Sequence, residues 1–459
     1  SLDDPAAKES GGAPTDIIQL DADDIIVRVV RSADEKKSKS AASDVWLTGN
    51  VVVKHLKPNQ EPTVFSGTEL HMRNEGENRQ FVTLLGDDRT KTPAKIVNNG
   101  RIFEGLHLEF DRYSEQGQAI GRGHIYLPMD RDLEGKKMSK TQPLDLKWAT
   151  SMRFDGKTAI FYGDANALLK NGDSQSQRIR ADQIIVDFDR RFKMTDSPNG
   201  KKSGQPKVAK IRFVGHVELK SAEFENGDVS SYQVGNFREL TLDQESGDLF
   251  GQGPGSLKSW RPGRKGRANL SPVASVQANT PLQSTSGDLE FAWIDFVGRM
   301  KGNIKRRLTT FYDEVRIVYG PVTKMSQQIN PDDVGLQRLP KNSGYMRCNW
   351  LELHQPPGKN RFLILKGNGN VELEGHDFRA QADQISFDQA KEQFLLRAIG
   401  NANVATIWRQ TQVGSEPSSQ SGRRWIFIPS RGILKSDDAQ NIKGFDPGNL
   451  SRPAPGFGR

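Results

Sequence analysis

The same order of short phrases recurs three times along this chain of 459 residues, and this internal repeat limits the possible fold more than any other feature. Each copy has a Gly-x-Val phrase, then a phrase in which apolar and acidic residues alternate, and then a Gly-rich turn. The copies begin at Trp46, Trp148 and Trp293, and the first is shorter than the others. Each copy is therefore predicted to form the same supersecondary unit.

Within these phrases, apolar residues alternate with polar residues over four to eight positions, which is the period of a half-buried β-strand. Turn signals such as NNG (98–100) and NGD (226–228) separate the runs. The chain is therefore predicted to be all-β, with short antiparallel strands. The alternation places the following side chains on apolar strand faces: Leu106, Leu108, Phe110, Ile184, Val186, Phe188, Val217, Leu219, Leu240, Leu242, Val371, Leu373, Ile385 and Phe387.

Glycine is enriched at the joints between these phrases. The chain has 44 glycines, about a tenth of its residues against a usual level of roughly 7 %. A strand that bends sharply, or passes close to another backbone, needs a positive φ or a missing Cβ. The glycines therefore predict a sheet with sharp corners.

Composition along the chain predicts its division into segments. Residues 261–288 are rich in Pro, Ser, Gly and Asn, which is typical of a linker or a long insertion. The predicted order is a polar N-terminal segment (1–44), a first β unit (45–130), a second β unit (145–260), the linker or insertion (261–288), a third β unit (289–410) and a C-terminal extension (411–459).

Several classes of site are excluded by the residues that are missing. No stretch of the sequence approaches 18 apolar residues, so no membrane-spanning helix is predicted. Cys348 is the only cysteine, so an internal disulfide and a cysteine-based zinc site are excluded, and its thiol is predicted to be a small buried apolar group. The seven histidines do not pair at metal-ligand spacing. Gly156-Lys157-Thr158 lacks the glycine that a phosphate loop requires, because Ser151 occupies that position.

Acidic residues recur with the repeat, at Asp182, Asp187, Asp243, Asp383 and Asp388. Carboxylates that recur in this way favour a structural role in turns or strand edges. Calcium binding and glycosidase-type catalysis remain alternatives for them. The sequence thus predicts no catalytic residue, no metal site and no cofactor.

Five phrases carry a resemblance to a known family: GNVVV (49–53), RADQIIVDFD (180–189), GHVELK (215–220), GNVELEG (369–375) and FRAQADQISFDQ (378–389). They resemble the OstA-like family of periplasmic lipopolysaccharide-transport proteins. The resemblance implies tandem slit β-jellyrolls, that is, folded-over antiparallel β-solenoid units. It also implies acyl chains held in an apolar interior, and assembly end to end through exposed strands.

The resemblance leads to a functional hypothesis. The chain is expected to be a non-enzymatic lipid-binding or lipid-transfer protein, with the fourteen apolar residues above lining the slit. Its expected partners are a lipopolysaccharide-like glycolipid, the subunits of an envelope transport complex that assembles the outer membrane, or further copies of itself. The expected location is periplasmic or membrane-associated outside the cytoplasm; a signal or anchor upstream of Ser1 would not be visible in this sequence.

Three alternatives stand beside this hypothesis. One is a structural β-scaffold that assembles through open edge strands without a lipid. Another is a carbohydrate-active enzyme that uses the recurring carboxylates. Nucleic-acid binding is disfavoured, because the net charge of +8 (65 basic minus 57 acidic residues) comes without an aromatic-plus-basic motif.

Overall fold

The chain is all-β, as the alternating phrases predict, and a computed structural model describes most of it. The described residues are 17–31, 40–56, 61–75, 80–98, 100–111, 113–131, 137–191, 206–262, 289–334, 338–356, 363–400, 403–410, 416–428, 431, 433–436 and 439–443. No α-helix occurs in these ranges, and every strand pairing recorded there is antiparallel. The predicted linker is 261–288; its first two residues end a strand, and residues 263–288, like the segment 1–16, lie outside the described residues.

The chain divides into two compact units. Unit 1 contains Ser1–Gly227 and Arg238–Asp248, and unit 2 contains Asp228–Phe237 and Leu249–Arg459. The strands of unit 1 are β1 (Ile17–Asp21), β2 (Asp24–Arg31), β3 (Ser40–Leu56), β4 (Thr63–Asn74), β5 (Gln80–Leu85), β6 (Ala94–Asn98), β7 (Arg101–Asp111), β8 (Gln116–Arg131), β9 (Lys137–Trp148), β10 (Ser151–Phe154), β11 (Thr158–Asn171), β12 (Gln175–Phe188) and β13 (Val208–Glu225). Strand β14 (Asp228–Asp243) contributes residues to both units.

Unit 2 continues the same pattern of neighbouring antiparallel strands. Its strands are β15 (Asp248–Gln252, from Leu249), β16 (Gly255–Pro262), β17 (Leu289–Phe296), β18 (Arg299–Asn303), β19 (Leu308–Val322), β20 (Gly344–His354), β21 (Ile364–Gly375), β22 (Phe378–Asp388), β23 (Gln393–Arg397), β24 (Ala405–Arg409), β25 (Ser418–Gly422), β26 (Arg424–Ile428), β27 (Ile433–Ser436) and β28 (Ala439–Lys443).

Many of the long strands contain a register shift near their middle, where two consecutive residues have positive φ. The sequence pairs Gly49-Asn50, Gly163-Asp164, Gly215-His216 and Gly369-Asn370 occupy four of these positions. A methyl group at the glycine of each pair would overlap a side chain of the chain segment beside it, such as Asp23 at Gly49. These are the corners that the glycine content predicts, and they use both properties of glycine, its free φ and its missing Cβ.

The interior of unit 1 is built from rows of apolar side chains that cross its strands. Residues opposite each other in an antiparallel pair share a face of the sheet, so the strand register defines each row. The closed row is named here for its burial, since all but its first member are at most 5 % exposed. It consists of Ile25, Leu47, Leu70, Leu84, Leu108, Ala119, Met152, Phe161, Ile184 and Phe213.

A second apolar row in unit 1 lies beyond the register shifts. We call it the facing row; it consists of Leu20, Val53, Phe65, Ile96, Phe103, Ile125, Leu146, Ala167, Ile179 and Leu219. In β12, for example, Ile179 belongs to the facing row and Ile184 to the closed row, and the register shift lies between them. Before the shift the odd-numbered side chains of β12 point inward, and after it the even-numbered side chains do. Both halves of the strand therefore line the interior.

Unit 2 has an interior of the same kind, and it is buried along most of its length. One row runs through Ile294, Ile317, Met346, Leu373, Ala380 and Ile407. The other includes Met300, Phe311, Leu351, Ile385, Leu396 and Trp425. Every member of both rows is at most 3 % exposed. Unit 2 is therefore closely packed across these strands.

Strands β1 and β2 are the main element that the sequence analysis did not predict. Residues 1–44 were assigned to a polar N-terminal segment, yet the sequences of β1, IIQLD, and of β2, DIIVRVVR, pair with β3 over five and eight residues. Seven isoleucines and valines of these strands are exposed. The many charged residues around these strands give the segment 1–44 a polar average composition, although it contains two strongly apolar strands.

Candidate functional site

The candidate site is a third apolar row in unit 1, next to the closed row on the same face. We call it the open row; it consists of Val27, Val45, Met72, Val82, Phe110, Gly117, Phe154, Ala159, Val186 and Ile211. Burial differs between its two ends. Val27 is 43 % exposed, the members from Val45 to Phe154 are half-buried, and Ile211 is 2 % exposed. The interior is thus sealed at β11–β13 and accessible from β2 to β10.

The facing row provides the opposite wall of this accessible part. The Phe103 ring lies 5.8 Å from the Phe110 ring and 6.0 Å from the Trp148 ring, measured between ring centroids. Phe65, Ile96 and Phe103 of the facing row are half-buried, like the open-row residues. The two apolar rows therefore meet at the Phe103–Phe110 contact, and the side chains around that contact are partly exposed.

The structure distributes the fourteen predicted slit residues between the two units. Leu108, Ile184, Val186 and Phe188 are buried in unit 1, and Phe110 is half-buried in the open row. Leu240, Leu242 and Val217 are buried in unit 1, whereas Leu219 is half-buried in the facing row. The members Val371, Leu373, Ile385 and Phe387 lie in unit 2 and are all buried. Ten of the fourteen therefore lie in unit 1 and four in unit 2.

Leu106 departs from the face that alternation predicts. The register of β7 against β8 shifts between Gly105 and His107, so Leu106 lies within the shift. It is half-buried and contacts the position of Gly121, whereas Leu108 is fully buried in the closed row. Alternation placed Leu106 beside Leu108 because a period of two cannot reveal an inserted residue.

Most residues of the accessible space were missed by the sequence analysis. Val27, Val45, Met72, Val82 and Phe154 belong to the open row, yet none was predicted as a site residue. A signal for three of them was present, because Ile25/Val27, Leu70/Met72 and Val82/Leu84 alternate as strand residues do.

Four of the five recurring carboxylates hold turns or corners, whereas Asp187 accepts hydrogen bonds across neighbouring strands from the Thr158 hydroxyl at 2.9 Å and from Arg212 at 3.4 Å. Asp182 lies 2.8 Å from Nδ1 of His216, at the corner of β13. Asp383 accepts hydrogen bonds from the backbone N–H of Ile399 and from the side-chain amide of Asn403. Asp388 accepts from the N–H groups of Ala390 and Lys391 in the turn after β22. Such contacts explain why these carboxylates recur with the repeat.

The Asp243 carboxylate has the same kind of role in the turn after β14. It accepts hydrogen bonds from the backbone N–H groups of Ser246, at 2.8 Å, and Glu245, at 3.1 Å. The Ser246 N–H is the main cause that lowers the pKa of Asp243 below its usual value, because it stabilises the ionised form.

Three further features of the described residues bear on other kinds of chemistry. Within those ranges, no helix is long and apolar enough to cross a membrane. No group of three or more His, Cys, Asp or Glu side chains in the same ranges is arranged to hold a metal ion. Cys348 is buried in β20, as predicted, and burial raises the pKa of its thiol to about 12.

Comparisons of the chain with protein-family models, with curated proteins and with solved structures found no match.

Proposed function

We propose that this protein binds the acyl chains of an amphipathic glycolipid in unit 1, without catalysing a reaction on them. The burial gradient of the open row carries the proposal. An apolar row that is buried at one end and partly exposed over seven strands offers the kind of surface that a hydrocarbon chain covers. In this proposal the protein works outside the cytoplasm, as the resemblance to OstA-like lipopolysaccharide-transport proteins implies.

The energetics of such a site favour the apolar interior over surface charge. Burying a hydrocarbon chain contributes about 0.8 kcal/mol per CH₂, so a dozen carbons contribute on the order of 10 kcal/mol before the costs of binding. A basic side chain near an anionic headgroup adds about 1 kcal/mol. The chain's charge of +8 therefore helps to capture an anionic lipid but does not hold it.

Site-specific photocrosslinking tests the proposal. A benzophenone amino acid replaces Val82 in the open row, Val186 at the sealed end of that row, or Thr83, whose side chain points to the opposite face. Each variant is irradiated with lipopolysaccharide or with a phospholipid. We expect a lipid adduct at position 82 and none at 83 or 186. Adducts at 83 alone, or at no position, would contradict the proposal.

A second candidate function is a scaffold that assembles through its N-terminal edge. Strands β1 and β2 both pair with β3, and their other edges have no partner strand among the described residues. An unpaired edge with exposed isoleucine and valine side chains favours addition of another strand. Native mass spectrometry separates the candidates: concentration-dependent oligomers without co-purifying lipid favour the scaffold, and a lipid-bound monomer favours the carrier.

A further inference from the structure

Unit 2 contains a cavity with a mixed polar and apolar lining that the acyl-binding proposal does not use. Its volume is about 780 Å³, which lies within the ~300–1,000 Å³ typical of small-molecule sites. A row of polar residues, one from each of five strands, forms its floor: Asn236, Ser256, Asp295, Arg316 and Arg347. Pro331, Asp332 and Val334 close it from the loop between β19 and β20.

Arg316 fixes that loop to the floor. Its guanidinium donates to Asp332 of the loop at 2.7 Å and to Asp295 of the neighbouring strand at 3.1 Å. An arginine held by two carboxylates has a fixed orientation. The two carboxylates keep unused acceptor positions, because each can accept several hydrogen bonds. The cavity wall is therefore pre-organised, with acceptors that remain open to a ligand.

Arg347 and Glu314 add groups that lack such partners. Arg347 lies directly opposite Arg316 in the strand register, an arrangement of like charges that is unfavourable without a compensating group. Neither Arg347 nor Glu314 forms an ion pair or side-chain hydrogen bond within the part of the chain that the structure describes. Both line the cavity. Both side chains are exposed to solvent, so a donor and an acceptor at the cavity are available to a ligand.

The backbone beneath Glu314 is a second, independent observation. Of the five in-strand pairs with positive φ in the described residues, four begin with glycine, and only Asp313-Glu314 does not. A non-glycine residue in this conformation costs of order 1 kcal/mol or more, and such strain is concentrated at functional sites. Asp313 occupies the space where a Cβ of Gly298 would lie, which holds the pair in place. The strained residue, Asp313, directly precedes Glu314, which lines the cavity.

We propose that this cavity binds a neutral saccharide. Three carboxylates and two guanidiniums give the lining a net charge of −1, which disfavours a phosphate or another anion. A hydrocarbon chain would leave the charged groups buried and unpaired. A sugar hydroxyl both donates and accepts, so it satisfies the carboxylates and Arg347 together. Pro254, Val297 and Val334 offer apolar contacts to its C–H faces.

Saturation-transfer difference NMR tests this with glucose, galactose, mannose, N-acetylglucosamine and cellobiose, using the full chain. We expect at least one of them to bind, and its Kd to increase at least tenfold in Arg347→Gln and in Glu314→Asn. Asparagine tolerates positive φ, so the second variant keeps the backbone conformation while replacing the carboxylate with a shorter, neutral amide side chain. The control is Arg397→Gln, an exposed arginine of unit 2 outside the cavity, and its Kd should match that of the parent protein.

Three outcomes would overturn the saccharide site. The first is that none of the five sugars binds. The second is that a sugar binds with the same Kd to Arg347→Gln and Glu314→Asn as to the parent. The third is that inorganic phosphate or octanoate binds instead and its binding is lost in Arg347→Gln. None of these outcomes bears on lipid crosslinking in unit 1, so the two proposals fail separately.

Discussion

At the scale of single residues, this fold depends on backbone positions that only a few side chains can occupy. Gly215 has positive φ, and a Cβ there would overlap Asp182, whose carboxylate contacts the next residue, His216. At this corner a glycine, a carboxylate and a polar residue therefore contact one another. This explains why the phrases Gly-Asn, Gly-Asp and Gly-His recur in the sequence.

We predict that Gly215→Ala destabilises unit 1 more than Gly172→Ala does. Both glycines have positive φ, but nothing lies within 4 Å of a Cβ at Gly172, which is in a turn. Strain alone costs about 1–2 kcal/mol, and overlap with Asp182 adds to this at Gly215 only. Urea unfolding of the two variants measures the difference. Equal losses would show that the carboxylate moves aside without cost.

The Asp243 turn predicts a dependence of stability on pH. The folded-state pKa of this carboxyl lies below its unfolded value, so its contribution is present above the unfolded pKa, near 4, and is lost as the pH falls through the folded pKa. Asp243→Asn should remove that contribution, which is below about 1 kcal/mol because the group is partly solvated. The stability gap between parent and variant, from urea titrations, should be constant from pH 7 to 5 and shrink towards pH 3.

An exposed carboxyl of the same unit supplies the control for this measurement. Glu225→Gln, at the end of β13, should shift stability little across the same pH range. A gap for Asp243→Asn that stays constant down to pH 3 would mean that the turn does not favour the ionised form.

Cys348 gives a third prediction at this scale. Its thiol is 2 % exposed, and its pKa is raised to about 12, so almost no thiolate exists at pH 8. A disulfide reagent such as Ellman's should therefore leave the native protein unlabelled, and should label one thiol per chain in 6 M guanidinium chloride. Rapid stoichiometric labelling of the native protein would contradict the burial of β20.

At the scale of strands, the sequence predicted the class of element and failed at the register shifts. Alternation identifies Leu108 and Phe110 as neighbours on one face, and the structure agrees. Alternation cannot reveal a strand in which the inward-pointing positions change from odd to even numbers midway. The residue inserted at a corner leaves the period of two intact on each side of it. Leu106 was misplaced for this reason, and the open row was largely missed, since its members come from many separate strands.

The pair Leu106 and Leu108 tests this account. We expect Leu108→Ala to cost about 2–5 kcal/mol, the usual range for a leucine removed from a packed core. Leu106→Ala should cost less than half as much, because Leu106 is half-buried within the register shift. Denaturant unfolding measures both changes. Similar losses for the two variants would place Leu106 in the same core as Leu108, as simple alternation does.

At the scale of the whole molecule, the all-β class follows from the sequence, whereas the location of accessible apolar surface does not. The solvent accessibility of an apolar side chain depends on which strands cover it. That coverage is set by the register between strands that are far apart in the sequence. The exposed strands β1 and β2 show the difficulty, because their apolar residues lie in a segment whose overall composition is polar. A burial gradient is a property of the assembled rows rather than of any one strand.

Acyl-chain length should therefore control lipid affinity in this protein more strongly than salt does. If the hydrocarbon lies along the open row, each added CH₂ contributes about 0.8 kcal/mol, or roughly fourfold in Kd. The accessible part crosses seven strands, or six intervals of about 4.8 Å, so the gain should continue until a chain approaches roughly 29 Å. Calorimetric titration with fatty acids of 8 to 14 carbons, each at 50 and 300 mM salt, separates this from charge capture. A steep dependence on salt with little dependence on length would mean that the basic surface, and not the open row, holds the lipid.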